Sequence, residues 1–334
     1  MASVSDISVS ALLATTKPKI SKMFYNSVSD RIPLLKKIKE SGNMFEVADG
    51  GRAFHEAAIS GDSNAVGVYE GYDDLNISEQ KGLQAFVFEP AFSYASIIVD
   101  NPTLSMNSGS EAVLKILEGR LEQARSSLNN LVDKNLCGAY GTVIGGKASK
   151  WIGIQDIVAD TNTSTIAGTG IDRSLAENVK LRNQVDTTAI ASATAWNTSG
   201  AGRLLMNSLY YQASFDQDKP KLCLMTRTIF EAYSYSLQAN ERFIGIQETA
   251  GGGYPTLKFM ANCDVVYGDN VKSGHFYFIN PDYLKFKVLS KKNFNVSDFL
   301  PLANQDAQRS FITLGGQLCS GAPKFHGVAT GMTF

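Results

Sequence analysis

The run "GTVIGGKA", Gly141 to Ala148, has the glycine and lysine spacing of a loop that cradles nucleotide phosphates with its backbone amides. It ends in Ala148, where a magnesium-binding hydroxyl belongs, and it follows a helical pattern where a buried strand should stand. Nucleotide chemistry is therefore not expected there. "SGAGRLL", Ser199 to Leu205, presents amides at a helix start, which serves equally well as a flexible entry to that helix. The imidazoles are His55, His275 and His326, and His275 lies in the strand pattern "GHFYF", so a satisfied or exposed ring is expected before a base or a ligand. No serine elbow, H-E-x-x-H pair or calcium-loop spacing occurs. Asp73, Asp74, Asp264 and Asp269 fall in turn-like and strand-like stretches whose spacing sets no carboxylate pair. Cys137, Cys223, Cys263 and Cys319 form no C-x-x-C, which argues against a zinc site or a redox pair and fits folding in the cytosol. No catalytic residue, metal ligand or cofactor is expected from the sequence.

The elements that would carry any other function are easier to read. With 334 residues, 44% hydrophobic and 19% charged, the chain can bury a substantial core, enough for two linked domains. A formal net charge of -1 gives no global attraction to nucleic acid or to an acidic membrane. The first 40 residues differ locally: Lys17, Lys19, Lys22, Arg31, Lys36, Lys37 and Lys39 face only Asp6, Asp30 and Glu40. A solvated arm is the plain reading, and a weak polyanion contact through Lys17, Lys19 and Lys22 is the sharper one. The opening residues have no basic region before an apolar run, so no secretory signal is expected, and no segment approaches a membrane span.

"KGLQAFVFEPAFSYASIIVD", Lys81 to Asp100, alternates side-chain sets at strand period. Read in one phase across Pro90, it puts Phe86, Phe88, Phe92, Tyr94 and Ile98 on one face, and Leu83, Ala85, Val87, Ala91, Ala95, Ile97 and Val99 on the other. Pro90, lacking a donor, argues for an edge, a bulge or a break. A continuous strand from Leu83 to Val99 would reach about 55 Å, longer than the roughly 50 Å diameter of a compact chain of this length, so part of it is expected to leave the body. Its partner strand is expected in "AVGVYEGY", with "GYDDLNISEQKG" as a wide polar tip. From this ribbon alone, an ordinary core strand and a surface covered by another chain both stay open.

Next, "NSGSEAVLKILEGRLEQARSSLNNLVDKNLCG" reads as a long helix. Ser108 stands three residues before Glu111, a capping-box spacing; Leu114, Leu117, Leu121, Ala124, Leu128 and Leu131 line one face, and Gly138 closes the end. A shorter helix is expected in "RIPLLKKIKESG", ended by Gly42. After a Gly/Thr-rich stretch come a helix in "GRLLMNSLYYQA", a strand in "KPKLCLMT", a helix in "TRTIFEAYSYSLQANERF", and strands in "TLKFM", "CDVVYG" and "GHFYFINPDYLKFKVL", the last split by a turn. "RSFITLGGQLC" and "PKFHGVATGM" read as closing strands.

This order, and above all the passage from "YEGYDDLNISEQKGLQAFVFEPAFSYASIIVD" into the long helix, resembles tailed-bacteriophage major capsid proteins of the Hong-Kong-97 type over nearly the whole chain. The resemblance implies an α+β fold divided into an N-terminal arm at 1–45, an extended β-hairpin loop at 46–100, a peripheral domain with a spine helix at 101–140, an axial domain at 141–275, and return strands at 276–334. It implies a structural shell subunit, not an enzyme, that assembles with copies of itself into pentamers and hexamers around double-stranded DNA. A separate scaffolding protein, a portal and a cement protein are the further partners it suggests, and a virion assembled in the bacterial cytoplasm is the location. Phe86, Phe88, Phe92, Tyr94, Tyr69 and Tyr72 become the expected contacts between subunits. The covalent crosslink of some relatives is not carried over, because Lys81 has no identifiable acceptor and acid here. An encapsulin-like compartment shell and an α+β enzyme remain as alternatives.

Overall fold

The computed structural model describes residues 28, 30–47, 51–61, 65–75, 82–102, 110–237, 257–260, 263–303 and 305–334. Lys17, Lys19, Lys22, Lys81, Ser108 and the "TAGGGYP" stretch lie outside these residues. Helix α1, Pro33–Glu40, buries Leu34, Leu35 and Ile38. It ends where Gly42 suggests: Gly42 N–H bonds Lys39 O and Asn43 N–H bonds Ile38 O, both at 3.0 Å, which satisfies the last turn's carbonyls. Two of the basic residues seen in the sequence are paired here, Lys37 with Glu40 and Asp264, and Lys39 with Asp30.

Strands β1 (Met44–Val47), β2 (Phe54–Ile59), β3 (Leu83–Phe88) and β4 (Ala91–Asp100) follow, then the long helix α2 (Ser110–Cys137). The short strands β5 (Val143–Ile144) and β6 (Lys147–Ala148) precede α3 (Ile154–Ile157), β7 (Gln184–Asp186), α4 (Ala193–Asn197) and α5 (Ala201–Gln212). Then come β8 (Leu222–Met225), α6 (Arg227–Leu237), β9 (Leu257–Phe259), β10 (Cys263–Tyr267), β11 (Phe276–Ile279) and β12 (Leu284–Leu289). The chain closes with β13 (Asn295–Val296), β14 (Leu300–Pro301), β15 (Ala307–Ser320) and β16 (Gly327–Ala329). The phosphate-loop lookalike is the hairpin β5–β6: Gly145 and Gly146 have φ of 58° and 80°, the paired positive values that a two-residue turn demands.

Strand β15 organises the first sheet. It pairs along β4 from Asp100↔Ala307 to Ala91↔Gly316, and through its C-terminal half with β12, which carries β1 on its far side. The second sheet runs β7-β16-β11-β8-β10-β9. Its central strands divide two cores by simple alternation: Leu222, Leu224, Tyr277 and Ile279 join the core shared with α1, α2 and the first sheet, while Cys223, Met225, Phe276 and Phe278 join the core under α5 and α6. Strands buried on both faces must be apolar throughout, which is why "LCLM" and "FYFI" carry no polar alternation. In α2, Leu121, Ala124 and Leu128 of the face that the sequence pattern marks out are buried and Leu131 is half-buried, while the side chains of Leu114 and Leu117 lie outside those described; beyond Leu128 the burial passes through Val132 and Leu136, which the pattern does not name.

Two readings of the ribbon need correction. The partner of β3 is β2, from Phe54↔Phe88 to Ile59↔Leu83, not Ala65 to Tyr72, which forms no strand. The phase also inverts at Pro90. In β3 the inward residues are Phe86 and Phe88; in β4 they are Ala91, Ser93, Ile97 and Val99. Glu89 and Pro90 stand outside both strands, and the Glu89 carbonyl accepts a bond from the Gln317 side chain at 3.0 Å. The step from Phe88 to Ala91 is thus odd, and an odd step turns every later side chain to the opposite face.

The Gly/Thr-rich stretch is organised around a buried cation. Arg173 donates to Ser164 O (2.7 Å), Ile157 O (3.0 Å), Asn183 Oδ1 (2.9 Å), Asp156 O (3.3 Å) and Ser164 Oγ (3.0 Å). Burial lowers its pKa to about 10, which leaves it charged at neutral pH. His326 is also fully buried and accepts from Asn280 N–H at 3.1 Å. Burial lowers its pKa to about 3, so below the ordinary value of 6.5 the unfolded chain takes a proton that the native chain refuses. Stability is therefore expected to fall as pH drops from 6.5 towards 3, by about 1.4 kcal/mol per pH unit from this group. Urea midpoints measured between pH 7 and 4 should slope less steeply in His326→Asn than in the parent.

Candidate assembly surface

The inward face of the β2–β3 hairpin is already covered by the chain itself. Phe86 and Phe88 are 0% and 1% exposed and stack with ring centroids 5.8 Å apart. They have no area left to give to a neighbour, so they are fold residues and not contact residues. Between them and β12 sits Glu56, buried, with Lys285 at 2.8 Å and Lys287 beside it. Burial pushes this carboxyl up, but the hydrogen bonds from Lys285 and Lys287 outweigh it and hold it below the usual carboxylate range. The ion triad therefore ties the hairpin's base to the first sheet.

What the hairpin leaves bare is its other face: Ile59 opposite Leu83, Ala57 opposite Ala85, and His55 opposite Val87, all exposed. The sequence pattern contains Leu83, Ala85 and Val87 as one face of the ribbon, but single-phase reading joins them to Ala91, Ile97 and Val99, which are buried. A second bare band lies on the first sheet, where Phe92 and Tyr94 are 64% and 65% exposed and Ile98 continues the row. Tyr94 meets Phe311 edge-on at 6.0 Å, and Arg309 lies 5.5 Å over the Phe311 ring. Phe92 rests on Gly315, where a Cβ would come within 2.8 Å of the ring. Covering Phe92 and Tyr94 would yield a gross gain of about 6 kcal/mol. Tyr69 and Tyr72 are exposed too, in a segment with Val66, Val68 and Leu75. Replacing Gly315 with valine is expected to lift the Phe92 ring off the sheet and lower any self-association about tenfold, read by light scattering beside an unchanged circular dichroism spectrum.

Among the described residues no group of His, Cys, Asp and Glu is placed to hold a metal ion. The four cysteines are free and buried, and burial raises each thiol, so none is a thiolate at neutral pH. His275 lies 3.2 Å from Asp160, beside the ion pair of Lys272 with the same carboxylate. Among the described residues no helix is long and apolar enough to cross a membrane.

Against solved structures, the chain superposes on a subunit of the cyanophage A-1(L) capsid asymmetric unit with a TM-score of 0.62, over 91% of this chain and 93% of that one, at 12% identity. The chain has the Hong-Kong-97-type capsid fold. The same capsid fold appears in the capsid of a native GTA particle, TM-score 0.57 at 10% identity over 88% and 90% of the two chains. It appears again in the satellite phage P4 procapsid that includes the size determination (Sid) protein, TM-score 0.52 at 10% identity over 96% and 95%. No family model and no curated protein matches the sequence.

Proposed function

We propose that this chain is the structural subunit of an icosahedral phage-type head, assembling into pentamers and hexamers that enclose double-stranded DNA. The observation that carries the reading is a capsid fold whose hairpin and first sheet leave contiguous apolar faces in solvent, Ile59, Leu83 and Val87 on one and Phe92, Tyr94 and Ile98 on the other. Isolated subunits rarely tolerate such faces, and tiling of identical copies removes them. In this reading residues 1–45 are the arm, 46–100 the extended loop, 101–140 the peripheral domain with its spine helix, 141–275 the axial domain and 276–334 the return strands. Tyr69, Tyr72, Phe92 and Tyr94 are contacts between subunits, and Lys17, Lys19 and Lys22 touch DNA or a neighbour. A scaffolding protein, a portal and a cement protein complete the particle, and no catalytic step belongs to the subunit. Purified chain should give objects of megadalton mass by light scattering; a stable monomer or small oligomer would remove the reading. An absorbance ratio at 260 to 280 nm typical of protein alone, in particles from the native source, would move it to an encapsulin-like compartment.

A further inference from the structure

The turn that joins β10 to β11, residues 268–275, is held from outside its own sheet by two carboxylates. Asp160, in the loop after α3, takes the Lys272 ammonium and lies 3.2 Å from His275 Nε2. Asp133, one turn before the end of α2, accepts from the Asn270 side-chain amide, which also reaches Asn130 Oδ1 at 3.5 Å. The two holds differ in charge. Asp160 has a cation against it, whereas Asp133 forms no ion pair among the described residues and has Asp269 next to its partner Asn270. Asp133 and Asp269 line one pocket of about 690 Å³ between α1, α2 and the turn. The other titratable or charged groups around Asp133 are Cys137, whose thiol donates to it at 3.7 Å, Tyr267 at the end of β10, and Arg31, which is exposed and lines the pocket just before α1.

We propose that this joint is a proton-operated latch: while Asp133 and Asp269 are both charged they press the turn away from α2, and a proton taken up by Asp133 lets the two close. The latch belongs to the single subunit and does not depend on the shell reading. A neutral carboxyl keeps an oxygen for the Asn270 amide, so closure loses no hydrogen bond there. It removes a charge from a half-buried place that has a like charge beside it. Burial pushes the Asp133 carboxyl above the ordinary carboxylate range and Asp269 adds to the push, against the bonds from Asn270 and Cys137. Burial also raises the Cys137 thiol, which stays neutral and contributes no charge of its own. The native chain therefore holds this proton more tightly than the unfolded chain does. Stability from this group is complete below the ordinary value of 3.8 and is lost as pH rises through the native value. His326 acts in the opposite direction, and its contribution cancels between chains that both retain it.

Hydrogen exchange read by mass spectrometry on the full chain tests the latch. At about pH 8, Asp133→Asn should slow exchange in peptides covering residues 264–275 by about threefold or more relative to the parent, and the difference should shrink as the pH is lowered to about 4. Asp269→Asn should act in the same direction. The double variant should gain little over Asp133→Asn, because one neutral partner already ends the repulsion. Asp160→Asn should do the opposite and speed exchange at about pH 8, since it takes away the partner of Lys272. Unchanged or faster exchange in Asp133→Asn, or a difference as large at about pH 4 as at about pH 8, overturns the proposal. If Asp133→Asn fails to accumulate, Asp269→Asn decides alone: slower exchange at about pH 8 that fades in about 1 M salt supports the latch, and any other result overturns it.

Discussion

Phe92→Ser with Tyr94→Ser is expected to abolish megadalton particles while leaving the melting temperature of the subunit within about 2 °C, because both rings stand in solvent and surface changes move stability by about 0.5 kcal/mol or less. Phe86→Ser or Phe88→Ser is expected to do the reverse. Each removes a fully buried ring and puts a hydroxyl in its place, at a cost of about 3 to 5 kcal/mol, so the chain should melt early or fail to accumulate before assembly is ever tested. The two pairs are neighbours in sequence and share an aromatic character. Their separation in a paired melting and light-scattering experiment is a direct readout of the phase inversion at Pro90. Similar losses of stability from all four substitutions would mean that Phe92 and Tyr94 are core residues, and the exposed band would lose its meaning.

The second large effect is expected at Arg173. Its guanidinium bonds three backbone carbonyls, the Asn183 amide oxygen and the Ser164 hydroxyl, and it holds together residues 156–183, where there is little regular structure. Arg173→Met keeps much of the volume but leaves those acceptors buried without a donor, at about 1 to 3 kcal/mol for each that water cannot reach. A loss of about 3 to 5 kcal/mol in urea-derived stability is expected, with earlier proteolytic cutting between residues 156 and 183. Arg173→Lys should recover only part, since an ammonium cannot reproduce the planar fork of donors. A change below about 1 kcal/mol in Arg173→Met would show that the carbonyls find water or each other, and that the guanidinium is not what orders the stretch.

Local order was legible where one element sees one environment. The α2 face at Leu121, Ala124 and Leu128, the Gly42 stop of α1, and the uniformly apolar "LCLM" and "FYFI" strands all follow from period and composition, because a helix against a sheet or a strand between two cores imposes a single pattern on its residues. The capsid resemblance itself rested on the order of such elements. What went unread was relational. Arg173 and Asn183 are ten residues apart and give no periodic signal, and Glu56 finds Lys285 and Lys287 more than two hundred residues away.

The ribbon shows the division most clearly. Sequence alone determined that Leu83 to Asp100 has strand periodicity and that two side-chain sets alternate along it, and it left Pro90 as an edge, a bulge or a break. Which set faces water was decided by tertiary structure, because a strand's sides are equivalent until something packs on one of them. Here Phe86 and Phe88 enter the main core beside Phe54 and Ala58 of β2, Ala91, Ile97 and Val99 enter it from β4 with Leu121, Ala124 and Leu128 of α2, and the odd step at Glu89 and Pro90 lets both happen, leaving Phe92 and Tyr94 outside.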